Sequence, residues 1–219
     1  MIPGELQGPF NSGRHGYDAH GIVLAPHVTI AAGAQLFGPL TIGEGTTVGP
    51  GAIIGTPPEH RTEAGAGTIR IGARTVVREL VVIQRGTGER DTTIGEDCYI
   101  MHGTHVAHDC VIGDGVTLSP RVVLGGHTRV HRSATLGIGA MTHQRSTVGA
   151  FAMVGMGAVV TRDVPPGFVV VGSPARFLRF NGATWREEET TNMAGHHMAA
   201  FYADSRRGQI DQLRPWGEP

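Results

Sequence analysis

The sequence predicts an all-β protein, a parallel β-helix of hexapeptide repeats with a short α-helical C-terminal tail. Three observations carry that prediction. Every sixth residue from Ile94 is aliphatic with one break: Ile94, Ile100, Val106, Ile112, Leu118, Leu124, Val130, Leu136, Thr142, Val148, Val154 and Val160. The residue two places earlier is nearly always small, as in Cys98, Thr104, Cys110, Ala134, Ala140, Ala152 and Ala158. Both positions point inward, because stacked coils bury large and small side chains in alternating layers. Gly follows the aliphatic at Gly95, Gly113, Gly125, Gly137, Gly149 and Gly155, and further Gly or Asp near the corners supplies positive φ.

The elements follow in order. After an N-terminal lead-in, the register runs through Leu24, Ile30, Leu36, Ile42, Val48 and Ile54, then through Ile71, Val77 and Ile83. The six-residue count is lost twice, over roughly Gly55–Thr68 and Gln84–Thr93, and these stretches are loops, since a solenoid accepts insertions only at its corners. The long run then ends at Asp163-Val164-Pro165-Pro166-Gly167-Phe168, where two prolines stop the strand pattern. A further turn at Gly172–Arg176 closes a repeat domain of residues 1–176. Residues 177–219, with Trp185, Met193, Met198, Phe201, Tyr202 and Leu213 among charges, read as short amphipathic helices that cap the solenoid.

Composition narrows the function. A net charge of −1 gives no general pull on nucleic acid or anionic membranes. An aromatic content of 5% is low for a globular core but suits a narrow solenoid. Cys98 and Cys110 both fall on the inward small position and read as reduced core thiols. With neither a signal region nor an apolar run of membrane-spanning length, the expected location is cytoplasmic.

Histidine is the uneven residue. His102, His105 and His108 fall within one short stretch, and His127, His131 and His143 follow. Residues eighteen apart stack on neighbouring coils about 4.8 Å apart. That count puts Gly126 above His108 and His127 above Asp109, with His143 on the same edge two coils along and His105 one strand earlier. Such a column suits acyl transfer: an imidazole takes a proton from a hydroxyl or amine, a carboxylate fixes its tautomer, and a glycine N–H receives the oxyanion. Spacing alone equally allows an ordinary corner aspartate flanked by solvated histidines.

Five segments carry a family resemblance. His105-Val106-Ala107-His108-Asp109-Cys110, Leu124-Gly125-Gly126-His127, Thr142-His143-Gln144, Ile83-Gln84-Arg85-Gly86-Thr87 and Asp163-Val164-Pro165-Pro166 resemble, in order and spacing, the UDP-N-acetylglucosamine acyltransferases of lipid A synthesis. The resemblance implies a left-handed β-helix and a homotrimer with active sites between subunits. It makes His108 the general base, Asp109 its orienting partner and the Gly126 N–H the oxyanion donor. His105, His127, His143, Gln144, Arg85 and Asn181 become substrate-binding residues. The donor is a thioester of acyl carrier protein or coenzyme A, and neither cofactor nor metal is expected.

The chain also departs from that pattern. Pro58-Glu59-His60-Arg61 stands where the family carries a Gln-Asp pair, Gln84 where it has His, and Ala183, Glu187 and Glu188 where it has an acidic and two basic residues. Acid in place of Arg repels a pyrophosphate. The acceptor is therefore a UDP-amino sugar on the matches and a different metabolite on the departures. Met156 replaces a glycine that leaves room for a long acyl chain, which predicts a short or medium acyl group. Two other classes stand beside this one: a zinc hydratase like the γ-type carbonic anhydrases, whose histidine spacing this chain lacks, and an idle trimeric scaffold.

Overall fold

The computed structural model describes residues 21–61, 67–88 and 90–182, and the helical cap expected beyond them lies outside this range. The described chain winds into a three-faced prism whose faces are parallel sheets. Strands Thr92–Ile94, Val111–Ile112, Arg129–Val130 and Thr147–Val148 end the first face, and Tyr99–Ile100, Thr117–Leu118, Thr135–Leu136 and Met153–Val154 run up the second. His105–Val106, Val123–Leu124, Met141–Thr142 and Val159–Val160 run up the third. Partners such as Thr93 and Val111, or His105 and Val123, are eighteen residues apart, as the repeat requires.

The core is the inward row of the repeat. Ile100, Leu118, Leu124, Leu136, Val154 and Val160 are wholly buried, with Ala134, Ala140, Ala152 and Ala158 between them. Cys98 and Cys110 are free thiols in the same stack, and burial pushes the Cys110 thiol up to about 12. Thr142, the one break in the aliphatic row, is buried with its hydroxyl 2.9 Å from that of Thr128 and 3.2 Å from the Gly125 N–H. A polar side chain is tolerated there because a second threonine satisfies it.

The corners use glycine in two ways, and positive φ falls on the further Gly and Asp, as expected. The glycines that follow the aliphatic are not the positive-φ residues; a Cβ on Gly113 would lie 2.7 Å from the Arg132 nitrogen on the next coil, so close backbone approach demands them. The left-handed residue comes two places later, and there Asp97, Asp109, Arg121, His127, Ser133, Arg145 and Phe151 serve alongside glycine. Each such conformation costs about 1–2 kcal/mol in a residue with a Cβ. Its N–H donates to the preceding coil, as from His127 to the His108 carbonyl at 3.0 Å and from Arg145 to the Gly126 carbonyl at 2.9 Å.

The prolines also do less than expected. Val164 bridges to Val148, and the strand Phe168–Val171 pairs in parallel with Met153–Val154, so the solenoid makes one further, shortened turn. Pro165 and Pro166 sit in the corner between these pairings, where no ladder donor is needed. The opening of the expected helical cap is a strand instead: Arg176–Phe180 runs antiparallel to Phe168–Val171. Phe168, Phe177 and Phe180 pack there with ring centroids 4.6 to 5.3 Å apart, a cluster that favours the hairpin.

Candidate active site

The site grows from the corner between the third and first faces. His108 precedes a left-handed corner residue, Asp109, which turns its carboxylate back onto the preceding imidazole. The His108 Nδ1 lies 2.6 Å from Asp109 Oδ2, and the Asp109 side chain is fully buried. Asp109 cannot move, because its other oxygen accepts the Thr87 N–H at 3.1 Å and lies 3.2 Å from the Thr87 hydroxyl. Its own N–H donates to the Thr92 hydroxyl at 2.9 Å, replacing the coil-to-coil bond that the loop before it removes. A short charge-assisted bond to Nδ1 fixes the tautomer and leaves Nε2 as the proton acceptor.

Gly126 lies on the next coil. A Cβ built on it would sit 2.7 Å from His108 Cε1 and 2.8 Å from Nε2, so only glycine admits the ring. The flanking Gly125 and His127 N–H groups donate to neighbouring coils, whereas that of Gly126 has no acceptor among the described residues. An unbonded donor beside the proton acceptor is what a developing oxyanion needs. His127 packs its ring at 87° to His108, with centroids 5.2 Å apart, and its Nε2 is 3.8 Å from Asp109 Oδ2.

The two loops leave adjacent coils and are stitched together. Arg85 N–H donates to the Thr56 carbonyl at 3.0 Å, and Glu59 N–H to the Gln84 side-chain oxygen at 3.4 Å. That stitching brings His60 against His108, with centroids 5.8 Å apart. Burial lowers the His105 pKa, with Glu59 opposing.

The sequence-predicted residues therefore divide. His108, Asp109, Gly126 and His127 come together. His143 and Gln144 are exposed on the next coil, with His143 Nδ1 3.2 Å from the Gln144 carbonyl. Arg85 donates to the Gly38 carbonyl at 2.9 Å, stapling its loop to an earlier coil. Asn181 lies at the end of the solenoid, donating to the Phe151 carbonyl at 3.0 Å. Met156 is 74% exposed at the corner between the second and third faces.

Spacing missed several participants. Arg145 continues the Asp109 and His127 column and was countable at eighteen residues. Thr87 and His60 sit in loops where the count is lost, so no periodicity could place them. His108, Asp109 and His127 are also the one group of potential metal ligands among the described residues. Asp109 Oδ2 is committed to His108, so an ion would have to displace the hydrogen that joins them.

Known proteins resemble this chain. The bacterial transferase hexapeptide (six repeats) pattern covers residues 91–126. An acyl-[acyl-carrier-protein]–UDP-N-acetylglucosamine O-acyltransferase from Gloeothece citriformis is 38% identical over 187 residues, covering 82% of this chain and 68% of that one. The chain belongs to this O-acyltransferase family. A Chlamydia caviae O-acyltransferase of the same name is 52% identical over 155 residues, 70% of this chain and 56% of its own. The Arabidopsis UDP-N-acetylglucosamine acyltransferase structure superposes with a TM-score of 0.70 at 24% identity, over 83% of this chain and 72% of that one, and shares the left-handed β-helix fold. Alignments to curated O-acyltransferases span from 27% to 68% of their length.

Proposed function

We propose that this protein is an acyltransferase that moves a short or medium acyl group from a carrier thioester, of acyl carrier protein or coenzyme A, to a hydroxyl of a UDP-N-acetylglucosamine-like sugar nucleotide. The observation that carries this reading is the 2.6 Å His108–Asp109 bond with the imidazole seated on Gly126. In the reaction, His108 Nε2 takes the acceptor proton as the hydroxyl oxygen bonds to the thioester carbonyl carbon. The Gly126 N–H receives the oxyanion, the carbon–sulfur bond breaks, and the proton passes to the departing sulfur. The test is thioester consumption by the purified chain with acyl carrier protein and coenzyme A donors, with and without UDP-N-acetylglucosamine. Turnover that needs the sugar nucleotide supports the reading, and its absence rejects it.

Asp109→Asn is expected to lower kcat roughly 10²-fold or more while changing both KM values little, because the imidazole loses its fixed tautomer. Steady-state kinetics checks this.

The donor side is supported by an apolar strip. Outward Val123 and Met141 adjoin His105 along the third face and are 40% and 42% exposed. Ile138 and Met156, eighteen apart, continue the strip at 51% and 74% exposure. An acyl chain laid along it from His108 ends against Met156. Met156→Gly is expected to shift donor preference to chains longer by two or more carbons, read from relative kcat/KM over a chain-length series; an unmoved preference rejects Met156 as the ruler. The exposed strip, with His143 and Gln144, supports a homotrimer in which a neighbour closes the cleft. The buried free thiols support a cytoplasmic setting. Among the described residues no helix is long and apolar enough to cross a membrane.

A further inference from the structure

His60 has no part in the proton transfer described above, yet its ring meets that of His108 edge-on, with planes at 81° and centroids 5.8 Å apart. The residue is exposed, and it adjoins a ring that is 9% exposed and also flanked by His127, Gly126 and Asp109. Its backbone is held in place. Thr56 pairs with Gln84 at the root of the loop, and the Gln84 amide oxygen accepts the Glu59 N–H at 3.4 Å. His60 N–H donates to the Pro58 carbonyl at 2.8 Å, which turns the chain back over the site. Gln84 is 1% exposed, and a polar side chain that deep is retained for the bond it makes. Its bond fixes the residue directly before His60.

We propose that His60 is an acceptor-positioning residue whose ring hydrogen-bonds a polar substituent on the atom next to the one that is acylated. This rests on the reading in which His108 takes the proton of an acceptor hydroxyl. That hydroxyl lies about 2.8 Å from the accepting nitrogen. With the second ring centred 5.8 Å from the first, a hydroxyl or amide on the adjacent carbon comes within hydrogen-bond reach of His60 in the same pose. The ligand class is therefore a ring carrying a vicinal hydroxyl or acylamino group beside the reacting hydroxyl. Imidazole suits either, since its two nitrogens offer one donor and one acceptor when neutral.

The test compares wild type, His60→Ala and His60→Gln in steady state at saturating thioester, with UDP-N-acetylglucosamine and its 2-deoxy and 4-deoxy analogues as acceptors. His60→Ala is expected to raise acceptor KM roughly ten-fold, the loss of one such bond. Donor KM and kcat stay within about two-fold, and the thermal melt is unchanged. Glutamine, which can also donate and accept, restores part of the loss. One analogue is expected to be poor for wild type yet no worse than UDP-N-acetylglucosamine for His60→Ala, because the alanine has already removed that contact. Unchanged acceptor KM in His60→Ala, or equal penalties for the analogues in both proteins, overturns the proposal while wild-type turnover keeps the acyltransferase reading. A lowered melt without rescue by glutamine assigns His60 a structural role and overturns it too. Absence of wild-type turnover on every sugar nucleotide fells both.

Discussion

Replacing His108 by Ala is expected to lower kcat for acyl transfer by about 10³-fold, within the range that a positioned general base contributes. The geometry says why no neighbour substitutes. His127 sits beside His108, but its Nε2 is 3.8 Å from Asp109, too far for the short bond that gives His108 its tautomer. His105 lies one strand earlier on the third face, and burial lowers its pKa, which weakens it as a base. Acceptor and donor KM values should change only a few-fold, because the removed contact matters when the proton moves. Initial rates with both substrates varied would show this; a fall below ten-fold would mean that another group takes the proton.

Gly126→Ala is expected to cost about 10²-fold in kcat with the fold intact. The added methyl would lie 2.7 to 2.8 Å from two atoms of the His108 ring, a side chain that can swing away. Swinging it breaks the 2.6 Å bond to Asp109 and moves Nε2 off the nucleophile. The neighbouring glycine makes the contrast. A methyl on Gly125 would meet the Gln144 backbone nitrogen at 2.7 Å, and backbone on a packed coil cannot yield. Gly125→Ala should therefore destabilise the fold by about 1–3 kcal/mol, the usual cost of overpacking. Denaturant melts and kinetics on the two variants separate the effects: activity lost with stability kept for Gly126, stability lost for Gly125.

The two glycines also mark how far a sequence count reaches. A repeat of six with three faces stacks residues at eighteen, and that arithmetic alone places Gly126 over His108 and His127 over Asp109. It works because every coil between Ile94 and Val160 has the same length, so sequence separation converts to height and face. The repeat marks two kinds of glycine, and only the coils' packing separates those selected by backbone crowding, such as Gly113, from those selected by positive φ, such as Gly115.

The count fails where the chain leaves the prism. Arg85, a substrate-binding residue by the family resemblance, also staples its loop through the Gly38 carbonyl, a bond that no count predicts. In the sequence Thr87 is only the last residue of a motif, yet it holds the Asp109 carboxylate through both its N–H and its hydroxyl. In the sequence His60 is only a departure from a family pattern, and its approach to His108 emerges when two loops on adjacent coils are bonded through Gln84.

The amino-acid sequence by itself determined the solenoid, its inward rows, its two excursions and the His108, Asp109, Gly126 and His127 column, since a fixed local period dictates these coil by coil. Tertiary structure decided the rest: the tautomer-fixing bond, the threonine that clamps the carboxylate, the arginine that staples its loop and the second imidazole beside His108. Those depend on loops whose path is set by hydrogen bonds between segments about twenty-five residues apart, and no local period encodes such bonds.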